Sequence, residues 1–256
     1  MVAYFFRRNN FAIKHPDYLG NADVSSRLHC LSYFGCNFSC LDCYVSKNQI
    51  DVTHFGLSRD EFLDEVTSLL PYGEGFKITG GEPSINHTLL RDMNIIVNLG
   101  GFIFLDTNGS QPDVIKAALK SQLIEVLGVS IKGLDPQTAA QYSCAPYQDC
   151  WSAPLETLEY ASKVLGRRVI VTYVYDSFTI DMMQSFANYL SPFPNVIMKL
   201  NRRIPLNEHH PDRKTLSKEI SKIVDRFLCQ NPEWENRIVV VDNDDAVGDS
   251  RKALFF

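Results

Sequence analysis

Gly75-Phe76-Lys77-Ile78-Thr79-Gly80-Gly81-Glu82-Pro83 begins as a short apolar run and breaks on two glycines and a proline. A run of that length closed by turn residues reads as a strand buried on both faces. The same pattern recurs outward from it in both directions. Apolar, β-branched runs at 27–33, 102–106, 126–131, 169–175, 196–200 and 238–241 predict six further strands besides 75–79. Helical patterns with start and stop signals lie between them. Ser58-Arg59-Asp60-Glu61 is a capping box ahead of Phe62, Val66 and Leu69. Asp135-Pro136 supplies an N-cap and a proline at the first helical position. The segment 155–165 is closed by Gly166, and 215–228 carries Leu216, Ile220, Ile223, Val224 and Phe227 on one stripe. Strand alternating with helix predicts an α/β fold with a parallel sheet and right-handed crossovers. The expected organisation is an N-terminal extension over 1–26 and one core domain over 27–256 that ends in a helix and a strand. The extension is open between a lid, an extra strand and a partner surface.

Composition narrows the function classes. The chain has 256 residues, of which 45% are hydrophobic, and 25 basic residues against 30 acidic give a net charge of −5. No strongly basic face is implied, so nucleic acid is not an expected partner. No apolar run is long enough to span a bilayer. Met1-Val-Ala-Tyr-Phe-Phe-Arg-Arg8 places its charge after a very short apolar stretch, the reverse of a secretory signal. The expected location is the cytoplasm. Seven cysteines is an odd number, which argues against a disulfide framework and for metal or redox chemistry.

Three of those cysteines stand together after the first predicted strand, in Cys36-Asn37-Phe38-Ser39-Cys40-Leu41-Asp42-Cys43. This C-x3-C-x2-C triplet leaves a four-coordinate site one ligand short. A [4Fe–4S] cluster normally takes four cysteines, so three would leave one iron open to another ligand. A structural zinc with His29, His54 or a distant cysteine as fourth ligand is the alternative, although zinc sites usually come as two spaced ligand pairs. Thr79-Gly80-Gly81-Glu82-Pro83, Asp106-Thr107-Asn108-Gly109 and Ser130-Ile131-Lys132-Gly133 follow or close the next three strands. All four segments thus fall at strand C-termini, the face on which parallel α/β folds carry their sites. Gly80 and Gly81 would let a backbone approach a ligand closely, and the Glu82 carboxylate suits an ammonium group. Read plainly, the same residues form a strand-to-helix turn.

On Cys36, Cys40, Cys43 and Gly80–Pro83 together, the chain resembles the radical S-adenosylmethionine (SAM) superfamily. The resemblance implies an open (β/α)6 partial barrel, a [4Fe–4S] cluster on the three cysteines, and SAM chelating the open iron by its amino and carboxylate groups. Its activity is reductive cleavage of SAM to a 5′-deoxyadenosyl radical that takes a hydrogen atom from a substrate, an oxidoreductase chemistry needing an electron donor such as flavodoxin or ferredoxin. Leu105–Gly109, the Lys132 segment and the flanking Gly35 and Tyr44 look most like the glycyl-radical-enzyme activating enzymes, of which the pyruvate formate-lyase activase is the familiar example. By that match Gly80, Gly81, Glu82, Asp106, Thr107, Asn108 and Tyr44 contact SAM. Asp106 and Thr107 also hold a monovalent cation, and Lys132 lies near SAM or substrate. The chain departs from the activases at Ser130, where they carry Asp, at Thr172, where they carry Arg, and at Asp176-Ser177, where they carry Pro-Gly. Asp42 replaces an aromatic residue. The expected substrate is a peptide or protein, by glycyl-radical activation or peptide modification. A small-molecule rearrangement or epimerisation is the alternative, and an iron–sulfur or zinc protein for electron transfer the non-enzyme one.

Other residues have two readings each. Lys199, Arg202, Arg203, Arg213 and Lys214 either steer an acidic substrate or the SAM carboxylate into the barrel mouth or form a solvated loop. Cys144 and Cys150 could donate a hydrogen atom, or ligate a second cluster with Cys30 and Cys229, or simply pack. His209-His210 reads as an exposed polar pair before a proline.

Overall fold

The apolar runs become neighbouring strands in the computed structural model, which describes residues 4–13, 26–41, 43, 58–73, 75–193, 195–202, 213–241 and 254–255. In chain order the strands are β1 (Tyr4–Ile13), β2 (Ser26–Tyr33), β3 (Gly75–Gly80), β4 (Phe102–Thr107), β5 (Val126–Ile131), β6 (Val169–Tyr175), β7 (Ile197–Arg202), β8 (Ile238–Val241) and β9 (Leu254–Phe255). The helices are α1 (Arg59–Leu69), α2 (Leu89–Asn98), α3 (Pro112–Lys120), α4 (Pro136–Ser143), α5 (Ala153–Leu165), α6 (Ile180–Leu190) and α7 (Arg213–Gln230). The spatial order of the sheet is the order of the chain, β1 to β9. β2 to β8 run parallel, while β1 and β9 pair antiparallel at the two edges. Six strand–helix units followed by β8 make the open (β/α)6 partial barrel.

The local signals act as the sequence indicates. The Ser58 hydroxyl accepts from Glu61 N at 3.2 Å and the Glu61 carboxylate accepts from Ser58 N at 2.6 Å, closing the capping box of α1. Asp135 accepts from Gln137 N and Thr138 N at the start of α4. Three differences matter most. The seventh strand begins one residue late and runs on to Arg202, which brings Asn201 into the sheet. α5 starts at Ala153, led in by a π-helical turn over Gln148–Ser152. Residues 4–13 form a strand whose alternation is broken in sequence by Arg7-Arg8-Asn9-Asn10, and its register with β2 shifts between Arg7 and Phe11.

Alternate side chains of each strand go to opposite faces. Leu31, Ile78, Leu105, Val129, Val171 and Leu200 pack outward against helix residues such as Phe62, Met93, Leu158 and Phe186. The other face curls around its own, separate cluster of Leu28, Phe104, Val126, Ile170, Ile197 and Val239. That second cluster plugs the barrel toward its N-terminal end. Polar residues follow it toward the strand C-termini, and they line the site.

Candidate active site

β2 runs from Tyr33 directly into the cysteine loop. Phe38 buries itself against Ala139 and Cys150 and anchors the loop. Ser39 N donates to Ser143 O at 2.9 Å and Leu41 N to Tyr142 O at 3.1 Å, so the loop rests on the C-terminal end of α4. The glycine loop lies against it. Gly81 N donates to Tyr33 O and Glu82 N to Gly35 O, both at 2.8 Å. Gly80 has φ +111°, and a Cβ on Gly81 would lie 1.9 Å from Gly35 O. Only glycine permits that approach. The room the sequence offers to a ligand is therefore also the room in which two strand-end loops touch.

Glu82 is 1% exposed. Its carboxylate accepts from Ser84 N at 3.0 Å, Ser84 Oγ at 2.5 Å, Thr107 Oγ1 at 2.6 Å and Asn108 N at 2.6 Å. Oε1 takes three of these donors and Oε2 one, so the carboxylate clamps the ends of β3 and β4 together while it also lines the cavity. Burial pushes its pKa up against the pull of those four donors. Asn108 continues the clamp: its Nδ2 donates to Asn37 Oδ1 at 3.0 Å and approaches Cys36 Sγ at 4.0 Å. Asn37 Nδ2 donates in turn to Ser110 Oγ at 2.9 Å.

Asp106 and Thr107 are likewise engaged within the protein. Asp106 Oδ2 pairs with Lys77 Nζ at 2.7 Å. The Thr107 hydroxyl donates to Glu82 and accepts from Gly109 N at 3.0 Å. Asp106 thus already has an ammonium beside it. Lys132 Nζ donates to Ser130 Oγ at 2.9 Å, and its charge favours ionisation of Cys36 and Cys40. Burial outweighs that help and holds both thiols above their ordinary pKa.

These groups share one cavity of about 270 Å³. Cys36, Cys40, Cys43, Gly80, Gly81 and Glu82 line one side; Asp106, Thr107, Asn108 and Lys132 continue the wall. Lys77, Ser130, Thr172, Lys199 and Asn201 complete it. Among the described residues no three His, Cys, Asp or Glu side chains are grouped to hold a single ion. Cys36, Cys40 and Cys43 nevertheless line the cavity together, as a cluster bound through different irons requires.

Several candidates fall elsewhere. His29 is 3% exposed and stacks on Phe76, which packs outward against the helices, so it faces away from the cavity. Cys150 is buried beneath the cysteine loop, and Cys144 and Cys229 are exposed; none of them lines the cavity. Tyr44, Asp42, His54, Arg203, His209 and His210 lie outside the described residues. The sequence reading passed over Lys77, Asn37 and Asn201. Lys77 carried a signal, as a charged residue alternating into the barrel from an otherwise apolar strand.

Residues 31–190 match the family profile of the radical SAM superfamily. A protein of Methanocaldococcus jannaschii named as a glycyl-radical enzyme activating enzyme is 27% identical over 100 residues, 39% of this chain and 40% of its own length. One of Methanococcus aeolicus named as a GTP 3′,8-cyclase is 24% identical over 220 residues, 81% of this chain and 70% of its own. Streptococcus suis SuiB bound to its precursor peptide SuiA superposes with a TM-score of 0.63 at 12% identity, over 81% of this chain and 46% of SuiB. The chain thus spans less than half the length of the first relative and of SuiB. Likeness at such identity bears on the fold alone.

Proposed function

Since the chain belongs to the radical SAM superfamily, a family of iron–sulfur enzymes that use SAM, we propose that Cys36, Cys40 and Cys43 hold its [4Fe–4S] cluster and that the adjoining cavity takes SAM and substrate. When bound, these cofactors supply one electron and a 5′-deoxyadenosyl radical that removes a hydrogen atom. The protein's own residues perform the positioning. Gly80, Gly81 and Glu82 fix the glycine loop against the cysteine loop. Asn108 steadies the Cys36 segment, and Lys132, held by Ser130, favours the thiolates that a cluster needs. The carrying observation is the chain of hydrogen bonds from the cysteine loop through Glu82 to Thr107 and Asn108, which locks three strand ends around one cavity.

The proposed substrate is a peptide or protein, supported by the activase-like run from Leu105 to Gly109. An external donor such as flavodoxin or ferredoxin provides the electron, and the expected setting is cytoplasmic. Among the described residues no helix is long and apolar enough to cross a membrane. Anaerobic reconstitution with iron and sulfide should give a brown protein that forms 5′-deoxyadenosine from SAM and dithionite. Protein that loads only zinc and leaves SAM intact would overturn the proposal. Deuterium from a labelled glycyl radical enzyme or peptide should pass into 5′-deoxyadenosine; transfer only from a small molecule would move the substrate class.

A further inference from the structure

Two lysines and one aspartate line the cavity inside the barrel. Lys77 on β3 pairs with Asp106 on β4 and lies 4.9 Å from the centre of the Phe104 ring. Lys199 on β7 lines the same cavity, close enough to feel both Lys77 and Asp106. Two residues further along the same face of β7, Asn201 also lines the cavity, and its Oδ1 is buried with no hydrogen-bond partner. Residues i and i+2 of a strand stand about 7 Å apart on one face, the span of a small acid with a polar neighbour. The floor beneath is apolar, formed by Ile170, Ile197, Phe104 and Val239. A buried carboxamide oxygen is costly without a partner, and burial disfavours the charged Lys199 beside it.

We propose that Lys199 and Asn201 form a subsite for a substrate carboxylate that has an N–H or O–H donor beside it. Lys199 takes the acid and Asn201 Oδ1 takes the donor, while Lys77 is held in its ion pair with Asp106. The proposal rests on the reading of the cavity as a SAM and substrate site and adds the chemical class of the substrate. The subsite lies on β7, five strands along the sheet from β2, which leads into the cysteine loop, and is assigned to the substrate.

The test uses the anaerobically reconstituted protein with SAM bound. Lactate is the probe, a carboxylate with an adjacent hydroxyl, and its uncharged methyl ester is the control. N-acetyl-aspartate α-amide, offering a side-chain acid beside amide N–H groups, distinguishes a peptide source from a free one. Titration calorimetry should show binding of lactate or of the aspartyl probe but not of the ester. Lys199→Met should weaken it by roughly tenfold or more, the usual loss for a charged hydrogen bond. Asn201→Ala should weaken it less, and Lys163→Met, on the exposed face of α5, not at all. Affinity in the native protein should also fall as pH rises through and above 8, where Lys199 loses its proton beside Lys77 and Asp106, while Lys199→Met shows no such step. Lys199→Met replaces a buried ammonium with a chain of similar length, so folding is preserved. Acid binding that survives in Lys199→Met, or acid binding by neither probe in the native protein, overturns the subsite. A Lys199→Met protein that loses SAM affinity also overturns it, by assigning the amine to SAM. SAM cleavage without substrate is scored separately, so its failure strikes the cofactor reading and leaves the acid-binding result to stand or fall alone.

Discussion

The wall of the cavity built from the ends of β2, β3 and β4 differs sharply from the wall built by β6 and β7. On the first, Glu82, Thr107, Asn108 and Asn37 take one another's hydrogen bonds and hold the cysteine loop in a fixed place. On the second, Asn201 presents a buried Oδ1 with no hydrogen-bond partner, beside Lys199, whose charged form burial disfavours. Polar groups that saturate one another rigidify a scaffold, while groups left open raise the energy of the free protein and lower it when a ligand arrives. On the proposed reading, one wall holds cofactors and the other meets a substrate.

The most severe way to break the first wall is at its ligands. Cys40→Ala should abolish cluster loading, read as loss of the brown iron–sulfur absorbance and of 5′-deoxyadenosine formation, with the fold intact by circular dichroism. Glu82→Ala is the next largest. It strands four donors, Ser84 N, Ser84 Oγ, Thr107 Oγ1 and Asn108 N, in a buried place. Urea unfolding should show a loss of about 3 kcal/mol or more, since each unsatisfied buried group costs roughly 1–3 kcal/mol.

The second wall should respond with the opposite sign. Burial and the neighbouring Lys77 lower the Lys199 pKa from 10.5 to about 8. Both folded and unfolded chains carry the proton at pH 7, and only the folded one holds it in an unfavourable place. Lys199→Met should therefore stabilise the protein at pH 7 by roughly 2–3 kcal/mol. Between pH 8 and 10.5 the unfolded chain binds more protons at this amine than the folded one, so the native protein gains on the variant and the gap closes. Urea midpoints measured across that range check both sign and window. The smallest effect lies outside both walls. Asp135→Ala removes the cap of α4, whose far end carries the cysteine loop, and should cost about 1 kcal/mol. Cluster content measured as iron per protein should stay unchanged.

The two walls were not equally legible in the sequence. Cys36, Cys40, Cys43 and Gly80–Pro83 announce the first wall because metal and glycine requirements impose fixed spacing along the chain. The seven parallel strands are legible for a related reason: strands covered on both faces read as continuous apolar runs. Glu82 shows the limit. Its presence is readable, but that its carboxylate turns inward to Thr107 and Asn108 depends on a contact between residues 25 and 26 positions away. Lys77 and Lys199 stand 122 positions apart in sequence, and no local pattern ties them. Lys199 in particular sat in a basic stretch that reads as a solvated loop. The pairing of β6 with β7 and the curl of the sheet bring it inside, and only the fold separates it from its charged neighbours.

Because every strand of the sheet pairs with its immediate neighbours in sequence, the molecule can be wound on from one end as the chain is synthesised. Each new strand meets a partner already in place, without a long search for a distant one. The cysteine loop, the glycine loop and their Glu82 clamp are complete once residue 110 has emerged, whereas the Lys199 strand appears some ninety residues later. The order of the sheet thus separates the two halves of the cavity in time as well as in space, with the cysteine-bearing wall assembled before the wall that closes the barrel.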